Sequence, residues 1–302
     1  MLFYILSGIG LILAVITVWA SGISPLWLLL LYPLYGFLLC FLELLVFMGL
    51  GLFIKKGKTP AHVKPSYHRF MLFYSCHIML KLLRVRIHVV GKEKLPKNKK
   101  QPFLFVSNHL SHFDPFVHST LFYHRNVVFV TKPENTQIPM FGRYLTRAGF
   151  IPIDRASPMQ AMRAIQLAAM RMKEDGCAVG IYPEGTISRS KSLLGFHDGV
   201  FLAAKKAKAP VVVTTLAGTD KVKRNWYRFG TDVYINIIDV IPSDEVVAMR
   251  TSDLSLRVRE LMRPSLIQAG YGAPPAEEAE IADLHLLQKE TPPAIELPPK
   301  GE

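Results

Sequence analysis

Residues 103–114 read FLFVSNHLSHFD, an apolar run of four residues followed at once by a polar box. The box brings Asn108, His109, Ser111 and Asp114 together directly after a stretch typical of a buried β-strand. Histidine can take up and return a proton near neutral pH, and a carboxylate bound to its far ring nitrogen fixes the tautomer. We therefore interpret His109 as a base and Asp114 as the group that orients it.

The same two partners activate the serine of hydrolytic triads, so the source of the reacting hydroxyl is the next question. The sequence contains no G-x-S-x-G segment, the pattern that presents a nucleophilic serine between a strand and a helix. We expect the hydroxyl to belong to the substrate.

Around the box, strand and helix patterns alternate. The clearest helix covers residues 158–174, with Ser157 as N-cap, Pro158 at the first helical position, Gln160 in the capping box and Gly176 after its end. Such alternation predicts an α/β fold with a central sheet flanked by helices over residues 91–270. Short runs rich in β-branched or aromatic residues predict strands at 86–90, 103–107, 127–131, 178–182, 210–216 and 232–240.

The N-terminus has a different composition, because residues 1–54 carry a single formal charge, Glu43. Two apolar runs, 2–20 and 26–54, are each long enough for a membrane helix, and residues 21–25 would form the turn. We predict a two-helix membrane hairpin over residues 1–54. Because a carboxylate is costly in lipid, Glu43 leaves open whether the hairpin spans the bilayer or enters and returns.

Lys55, Lys56 and Lys58 follow the hairpin, whereas its turn is uncharged, and this asymmetry predicts that the rest of the chain lies on the cytoplasmic side. We divide residues 55–90 into a basic linker and an amphipathic helix over 67–83. That helix could lie among lipid headgroups or pack in the core of the domain.

The net charge of +13 conceals an acidic tail, since residues 271–302 carry −5 and residues 1–270 carry +18. The basic part favours an anionic partner such as nucleic acid, a headgroup surface or a phosphorylated substrate. The Pro- and acid-rich tail has too few apolar residues to fold alone and is predicted to be disordered. Three widely spaced cysteines predict a reducing compartment without a disulfide framework.

Three further stretches suggest binding groups. GFIPIDR, residues 149–155, ends in Arg155 beside a helix start, which suits phosphate, although a surface pair with Asp154 would explain it too. IYPEGTISR, residues 181–189, offers Gly185, hydroxyls and Arg189 to an anion, while Glu184 would neutralise or position a cation. KAPVVVTTL, residues 208–216, opens a strand with a proline, and a purely structural role explains it as well.

In this order and spacing, the stretches resemble the four motifs of the glycerolipid acyltransferases, in particular the bacterial 1-acylglycerol-3-phosphate (lysophosphatidic acid) acyltransferases. NHLSHFD is similar to the family's N-H-x-S-x-x-D, GFIPIDR to G-x-x-x-I-D-R, YPEGT to F-P-E-G-T, and Ala209 with Pro210 to its proline box. Tyr182 stands where the family commonly has phenylalanine, and the role of Arg189 stays open. The resemblance covers roughly residues 55–250 and implies a central mixed sheet flanked by helices.

The resemblance implies transfer of an acyl group from acyl-coenzyme A or acyl carrier protein to the sn-2 hydroxyl of 1-acylglycerol 3-phosphate, giving phosphatidic acid. It implies a bacterial inner-membrane enzyme with membrane lipids as partners, no metal or organic cofactor, and no nucleic acid. His109 and Asp114 would be catalytic, and Pro210 would bind the acyl chain or be structural. The implied substrate-binding residues are Asn108, Ser111, Lys132, Arg155, Glu184, Gly185 and Thr186.

Three alternatives stay open at this point. A metal-dependent hydrolase could use His109, His112, Asp114 and His118, although their spacing lacks the usual zinc patterns. A membrane-anchored nucleic-acid binder would explain the positive charge, but the basic residues are scattered. Within the acyltransferases, the acceptor could be glycerol 3-phosphate or another lysophospholipid.

Overall fold

A computed structural model describes residues 2–55, 60, 62–63, 67–122, 124–190, 192–228 and 230–271. The helices in this part of the chain are α1 (Leu2–Ser21), α2 (Leu28–Phe53), α3 (Tyr67–Leu82), α4 (Asp114–Leu121), α5 (Pro133–Gln137), α6 (Phe141–Arg147), α7 (Pro158–Lys173), α8 (Leu202–Ala207), α9 (Val222–Asn225), α10 (Ser243–Ala248) and α11 (Thr251–Gln268). The strands are β1 (Val85–Val90), β2 (Leu104–Val106), β3 (Val127–Thr131), β4 (Ile151–Pro152), β5 (Ala178–Ile181), β6 (Val211–Ala217) and β7 (Thr231–Ile241).

The strands form one seven-stranded sheet in the order β1-β7-β6-β2-β5-β3-β4. Only β6 and β7 pair antiparallel within it, so the sheet is mixed, as predicted. All six predicted strands are present, and the two-residue strand β4 is the one that the sequence patterns missed. Because β2, β3, β4, β5 and β6 run in the same direction, their carboxyl ends meet along one edge of the sheet.

Helices cover both faces of the sheet. On one face, α7, α8, α10 and α11 enclose a core with the even-numbered residues of β2, represented by Leu104 and Val106. On the other face, α2, α3, α4 and α6 pack on Phe103 and Phe105. Each strand of the centre therefore contributes side chains to two apolar layers, which explains why β2, β5 and β6 are buried throughout.

The two N-terminal helices form a hairpin. Gly10 lies so close to α2 that a Cβ there would be 2.9 Å from the backbone nitrogen of Gly36, and the hydroxyls of Thr17 and Tyr35 are 3.1 Å apart. Residues 25–53 form a helix long and apolar enough to cross a bilayer, whereas the apolar helix over 5–21 is shorter. The outer surface is rich in exposed apolar side chains such as Trp19 and Leu29, as in membrane-associated segments. Glu43 faces α3 and interacts with Tyr74 rather than pointing away from the protein.

Helix α3 packs against α2, α4, α6 and β1. Its inward face is buried and includes Leu72, Phe73, Cys76 and Ile78. Of the two alternatives that the sequence allowed for this helix, packing in the core of the domain is therefore present. Its outward face exposes Tyr67 and Phe70, and contact of that face with headgroups stays a prediction.

Two domain boundaries differ from those predicted. Strand β1 lies before residue 91 yet pairs in parallel with β7, so the sheet begins inside the region assigned to the linker and interfacial helix. At the other end, the hydroxyl of Tyr271 accepts a hydrogen bond from the Gly218 amide at 2.7 Å and donates one to Asp220 at 2.6 Å. Residue 271 thus belongs to the folded domain, and the rest of the predicted tail lies outside the described residues.

The predicted helix start at residue 158 is confirmed. The Ser157 hydroxyl accepts a hydrogen bond from the Gln160 amide, and Gly176 after the helix adopts a left-handed φ of 62°. The three cysteines, Cys40, Cys76 and Cys177, are buried and free.

Gly180 tests the packing of the apolar layer that contains Phe105 and Phe129. A Cβ at Gly180 would lie 2.3 Å from the Phe105 ring and 2.9 Å from the Phe129 ring, both of which are buried. We expect Gly180→Ala to lower the free energy of unfolding by about 1–3 kcal/mol through overpacking. Gly199→Ala is the matched control, because nothing lies within 4 Å of its added Cβ, and it should change stability by less than about 0.5 kcal/mol. Urea unfolding in detergent measures both, and equal stabilities would contradict this packing.

Candidate active site

The polar box forms a tight turn between β2 and α4, closed by one carboxylate oxygen. Oδ2 of Asp114 accepts hydrogen bonds from Nδ1 of His109 at 2.7 Å, from the Leu110 amide at 2.7 Å and from the Ser111 amide at 3.0 Å. Because a carboxylate only accepts, Nδ1 carries the proton and Nε2 is the basic nitrogen of the neutral ring. The pairing of His109 with Asp114 expected from the sequence is therefore present.

The loop after β5 holds the backbone of His109 from both sides. Oε1 of Glu184 accepts from the His109 amide at 2.7 Å, and the Ser188 amide donates to the His109 carbonyl at 2.8 Å. Oε2 of Glu184 accepts from the Leu194 amide at 3.1 Å. Glu184 is thus buried and supports the backbone, which corrects its prediction as a substrate-binding residue.

Asn108 requires the same correction. Its buried side chain donates to the Leu216 carbonyl at 3.0 Å and accepts from the Leu216 amide at 2.7 Å. Strand β2 ends before it reaches Leu216 of β6. The side-chain amide of Asn108 makes the two hydrogen bonds that the backbone of a longer strand would make with Leu216. Asn108 therefore fixes the start of the turn and is not among the residues that line the cavity beside His109.

Tyr182 packs on the ring of His109. Its ring stacks on that of His109 with 4.4 Å between centroids and 17° between planes, and its hydroxyl lies 3.0 Å from Nδ1 of His118. Burial lowers the pKa of His118 to about 4, so this imidazole is neutral at physiological pH. The stack restricts rotation of the His109 ring, a function that phenylalanine in the same position would share.

The residues of the metal alternative are not grouped. His118 is buried behind Tyr182, whereas the side chain of His112 is exposed. Among the described residues, no three His, Cys, Asp or Glu side chains are arranged to hold a metal ion.

His109 lies in the wall of a cavity of about 890 Å³ at the carboxyl edge of the sheet. Ser111, Lys132, Arg155, Gly185 and Thr186, which were predicted to bind substrate, also line it. Much of the remaining wall is apolar, from the side chains of Pro115, Phe116, Phe129, Val130, Ile138, Phe141, Leu145, Phe150, Ile153, Ile181 and Val200. The cavity therefore joins a cationic region to an apolar one beside the base, which suits an amphiphilic anion.

Gly185 allows two cationic or basic side chains to approach the loop. It adopts a φ of 70°, and a Cβ would lie 2.8 Å from the His197 ring and 3.3 Å from Nε of Arg155. A larger residue would be strained in this conformation and would displace Arg155. The glycine thus leaves room for the Arg155 side chain beside the loop.

The sequence missed several lining residues. His197, Asp220 and Lys223 come from segments without a motif. The sequence identified Arg189 but left its role open. Only the general positive charge of the chain pointed toward such groups. Pro210 lies elsewhere: its carbonyl accepts from the Leu104 amide at the amino end of β2, so of its two predicted roles the structural one fits.

The comparisons with known proteins all find similarity to acyltransferases. Residues 86–216 match the family model described as Acyltransferase. The chain is 26% identical over 200 residues to the 1-acyl-sn-glycerol-3-phosphate acyltransferase of Saccharomyces cerevisiae, covering 65% of this chain and 64% of the yeast protein. It is 28% identical to the protein of that name from Haemophilus influenzae, covering 59% of this chain and 74% of the relative.

Other relatives are matched over shorter parts. The chain is 33% identical to a 1-acyl-sn-glycerol-3-phosphate acyltransferase of Chlamydomonas reinhardtii, covering 44% of this chain and 39% of that protein. The chain thus spans between about two fifths and two thirds of the length of the first curated relatives it matches. Its fold is similar to the crystal structure of the 1-acyl-sn-glycerophosphate (LPA) acyltransferase PlsC from Thermotoga maritima, with a TM-score of 0.53, 21% identity and coverage of 76% of this chain and 95% of that one.

Glu184 makes the stability of this site depend on pH. Burial raises its pKa from about 4.5 to about 8, so between these values the folded chain retains a proton that the unfolded chain releases. The stability contributed by Glu184 therefore falls as pH rises through this range. We expect Glu184→Gln, which does not titrate, to reduce that fall when urea unfolding is followed from about pH 5 to pH 8.

The control is Glu93→Gln, which removes an exposed carboxylate from the same chain. The pH dependence of its unfolding should match that of the unaltered protein. If Glu184→Gln left the slope unchanged as well, Glu184 would not titrate as its burial indicates.

Proposed function

We propose, from the premise that the chain belongs to the acyltransferase family, that it transfers a fatty acyl group from a thioester to the sn-2 hydroxyl of 1-acylglycerol 3-phosphate, giving phosphatidic acid. The observation that carries the proposal is the fixed His109–Asp114 pair in the wall of a cavity that is cationic in one region and apolar in another. The relatives' names supply the acceptor.

His109 acts as the base. Its Nε2 removes the proton of the acceptor hydroxyl as that oxygen attacks the thioester carbonyl, and Asp114 stabilises the imidazolium that forms. The tetrahedral intermediate then collapses, the carbon–sulfur bond breaks, and the imidazolium returns the proton to the departing thiolate. Both substrates react directly, so no acyl group is carried by the protein.

Cationic side chains hold the acceptor phosphate. Lys132 and Arg155 line the cavity together with the Gly185–Thr186 segment, and their charges and donors match phosphate oxygens. Binding the phosphate fixes the distance between the neighbouring hydroxyl and Nε2, and this positioning removes part of the entropic barrier.

Apolar walls accept the hydrocarbon chains. Phe116, Phe129, Phe141 and Phe150 are among the side chains that line the cavity, and each buried methylene contributes about 0.8 kcal/mol. The donor is acyl-coenzyme A or acyl carrier protein, and the reaction proceeds without a metal or an organic cofactor.

The N-terminal hairpin anchors the enzyme at the cytoplasmic face of the cell membrane, in bacteria the inner membrane. Its exposed apolar surface supports lipid contact, and Lys55, Lys56 and Lys58 support the cytoplasmic orientation. The acceptor is a membrane lipid, so anchoring brings the cavity to its substrate.

Removal of the base tests the mechanism. We expect His109→Ala to lower acyl transfer by about 10²- to 10⁴-fold while the protein stays in the membrane fraction. Membranes containing the variant are incubated with a labelled acyl thioester and a panel of lysophospholipids and glycerol 3-phosphate, and the products are separated. Transfer to another acceptor in the unaltered protein would replace the substrate proposed here.

His112→Ala is the matched control, because this exposed histidine lies in the same turn and also lines the cavity, whereas the hydrogen bond to Asp114 comes from His109. It should keep most of the activity. Near-full activity in His109→Ala would refute His109 as the base.

Arg155 tests the phosphate contact. We expect Arg155→Ala to raise the acceptor KM at least tenfold, because a charge-assisted contact contributes about 1.5–3 kcal/mol, with a smaller effect on the KM of the thioester. Arg163→Ala, which removes an exposed arginine of α7 outside the cavity lining, should leave both KM values unchanged. An unaltered acceptor KM in Arg155→Ala would exclude Arg155 from phosphate binding.

A further inference from the structure

Residues 221–228, KVKRNWYR, form an exposed basic and aromatic segment between β6 and β7. Trp226 and Tyr227 are 64% and 62% exposed, and their rings meet edge to face with 5.9 Å between centroids. The guanidinium of Arg228 lies 5.7 Å from the Tyr227 ring centroid. Lys221, Lys223 and Arg224 add charge, and the segment contains no acidic residue. Two large exposed rings among four cations are unusual for a surface that meets only water.

The segment lies on the same side of the sheet as the N-terminal hairpin. Val222, its buried residue, packs in one apolar cluster with Leu80 of α3 and Val117 of α4. On that side of the sheet, Phe47 of α2 packs with Leu72 of α3. The opposite side is covered by α7, α8, α10 and α11. Helix α3 therefore connects the hairpin to the segment across one face of the domain.

Two contacts define the position of the segment more closely. At the end of α3, Nη1 of Arg84 donates to the Arg228 carbonyl at 3.2 Å. At the other end of the segment, Lys223 lines the catalytic cavity. The segment thus lies at the border of the cavity, next to the carboxyl end of α3.

We infer that residues 221–228 are a second membrane contact, which binds the anionic headgroup surface and holds the border of the cavity against the bilayer. Tryptophan and tyrosine prefer the membrane–water interface because their rings are apolar while their polar groups stay hydrated. Each basic residue near an anionic surface adds to the electrostatic attraction. The inference rests on the membrane anchoring proposed above, but its test does not depend on acyl transfer.

The basic side chains of the segment would also attract an acidic carrier protein. The segment shares its side of the sheet with the exposed apolar hairpin, and both of its rings are turned outward. These features match a planar interface that also contains the hairpin. Carrier-protein binding is therefore kept as an outcome of the test.

Trp226 itself provides the probe, because the chain has three tryptophans and the other two, Trp19 and Trp27, lie in the hairpin. The full chain carrying Trp19→Phe and Trp27→Phe is reconstituted into vesicles of equal parts phosphatidylcholine and phosphatidylglycerol, with and without brominated acyl chains. We expect the emission of Trp226 to shift to shorter wavelength relative to the detergent-solubilised protein and to lose intensity with the brominated lipid.

The position control adds Trp226→Phe and Leu256→Trp to the same background. Leu256 is 57% exposed on α11, on the opposite side of the sheet, so its tryptophan should keep a water-like spectrum and resist quenching by brominated lipid. The charge control adds Lys221→Gln and Arg224→Gln to the Trp226 reporter. It should reduce quenching in anionic vesicles and have less effect in phosphatidylcholine alone.

Equal quenching of the tryptophans at positions 226 and 256 would overturn the inference. So would a Trp226 spectrum that is unchanged by vesicles and shifts only on addition of acyl carrier protein, because that result assigns the segment to the protein partner. The fluorescence of Trp226 reports membrane contact and does not depend on acyl transfer. A chain that failed to transfer acyl groups could therefore still show the second contact, and an active chain could lack it.

Discussion

The site depends on one buried carboxylate oxygen. Oδ2 of Asp114 accepts from the His109 ring and from the amides of Leu110 and Ser111, all within 3.0 Å. Because the Asp114 side chain is fully buried, its charge needs these donors, and Asp114 as the first residue of α4 also gains from the helix dipole. The oxygen that orients the base therefore also closes the turn that carries it. A change in the conformation of the turn would therefore also change the orientation of the His109 ring.

The parallel part of the sheet brings distant motifs to this turn. Glu184 and Ser188 follow β5, which pairs with β2, and together they bind the amide and carbonyl of His109. Asn108 extends the pairing of β2 toward β6 by binding Leu216. The backbone of the base is thereby fixed to strands on both sides. The side chains of Glu184 and Asn108 bind the protein backbone, whereas Lys132 and Arg155 line the cavity.

The sequence predicted the architecture well because its signals were local. The capped helix after Ser157 and the short β-branched runs each specify their own element, and the resemblance supplied the mixed sheet that joins them. The motifs also located the hydrogen-bonded pair of His109 and Asp114. Motifs did not distinguish support from contact, however, so Asn108 and Glu184 were assigned to substrate. Their role depends on partners 108 and 10 residues away along the chain, which only the folded arrangement defines. Strand β4 was missed because two residues carry no periodic pattern.

The fixed position of the His109 ring limits where the reacting hydroxyl of a substrate can lie. The ring of His109 is fixed by Asp114 on one edge and by the Tyr182 stack on one face, so it has little freedom to adjust to a misplaced hydroxyl. In the proposed reaction, alignment therefore comes from the acceptor, whose phosphate would lie in the cationic region of the cavity and whose hydrocarbon chain would lie in the apolar region. Two attachment points on either side of the reacting hydroxyl restrict its position far more than one would. Under the proposed function, the combination of cationic and apolar walls around a fixed imidazole would favour an anionic lipid over a free alcohol.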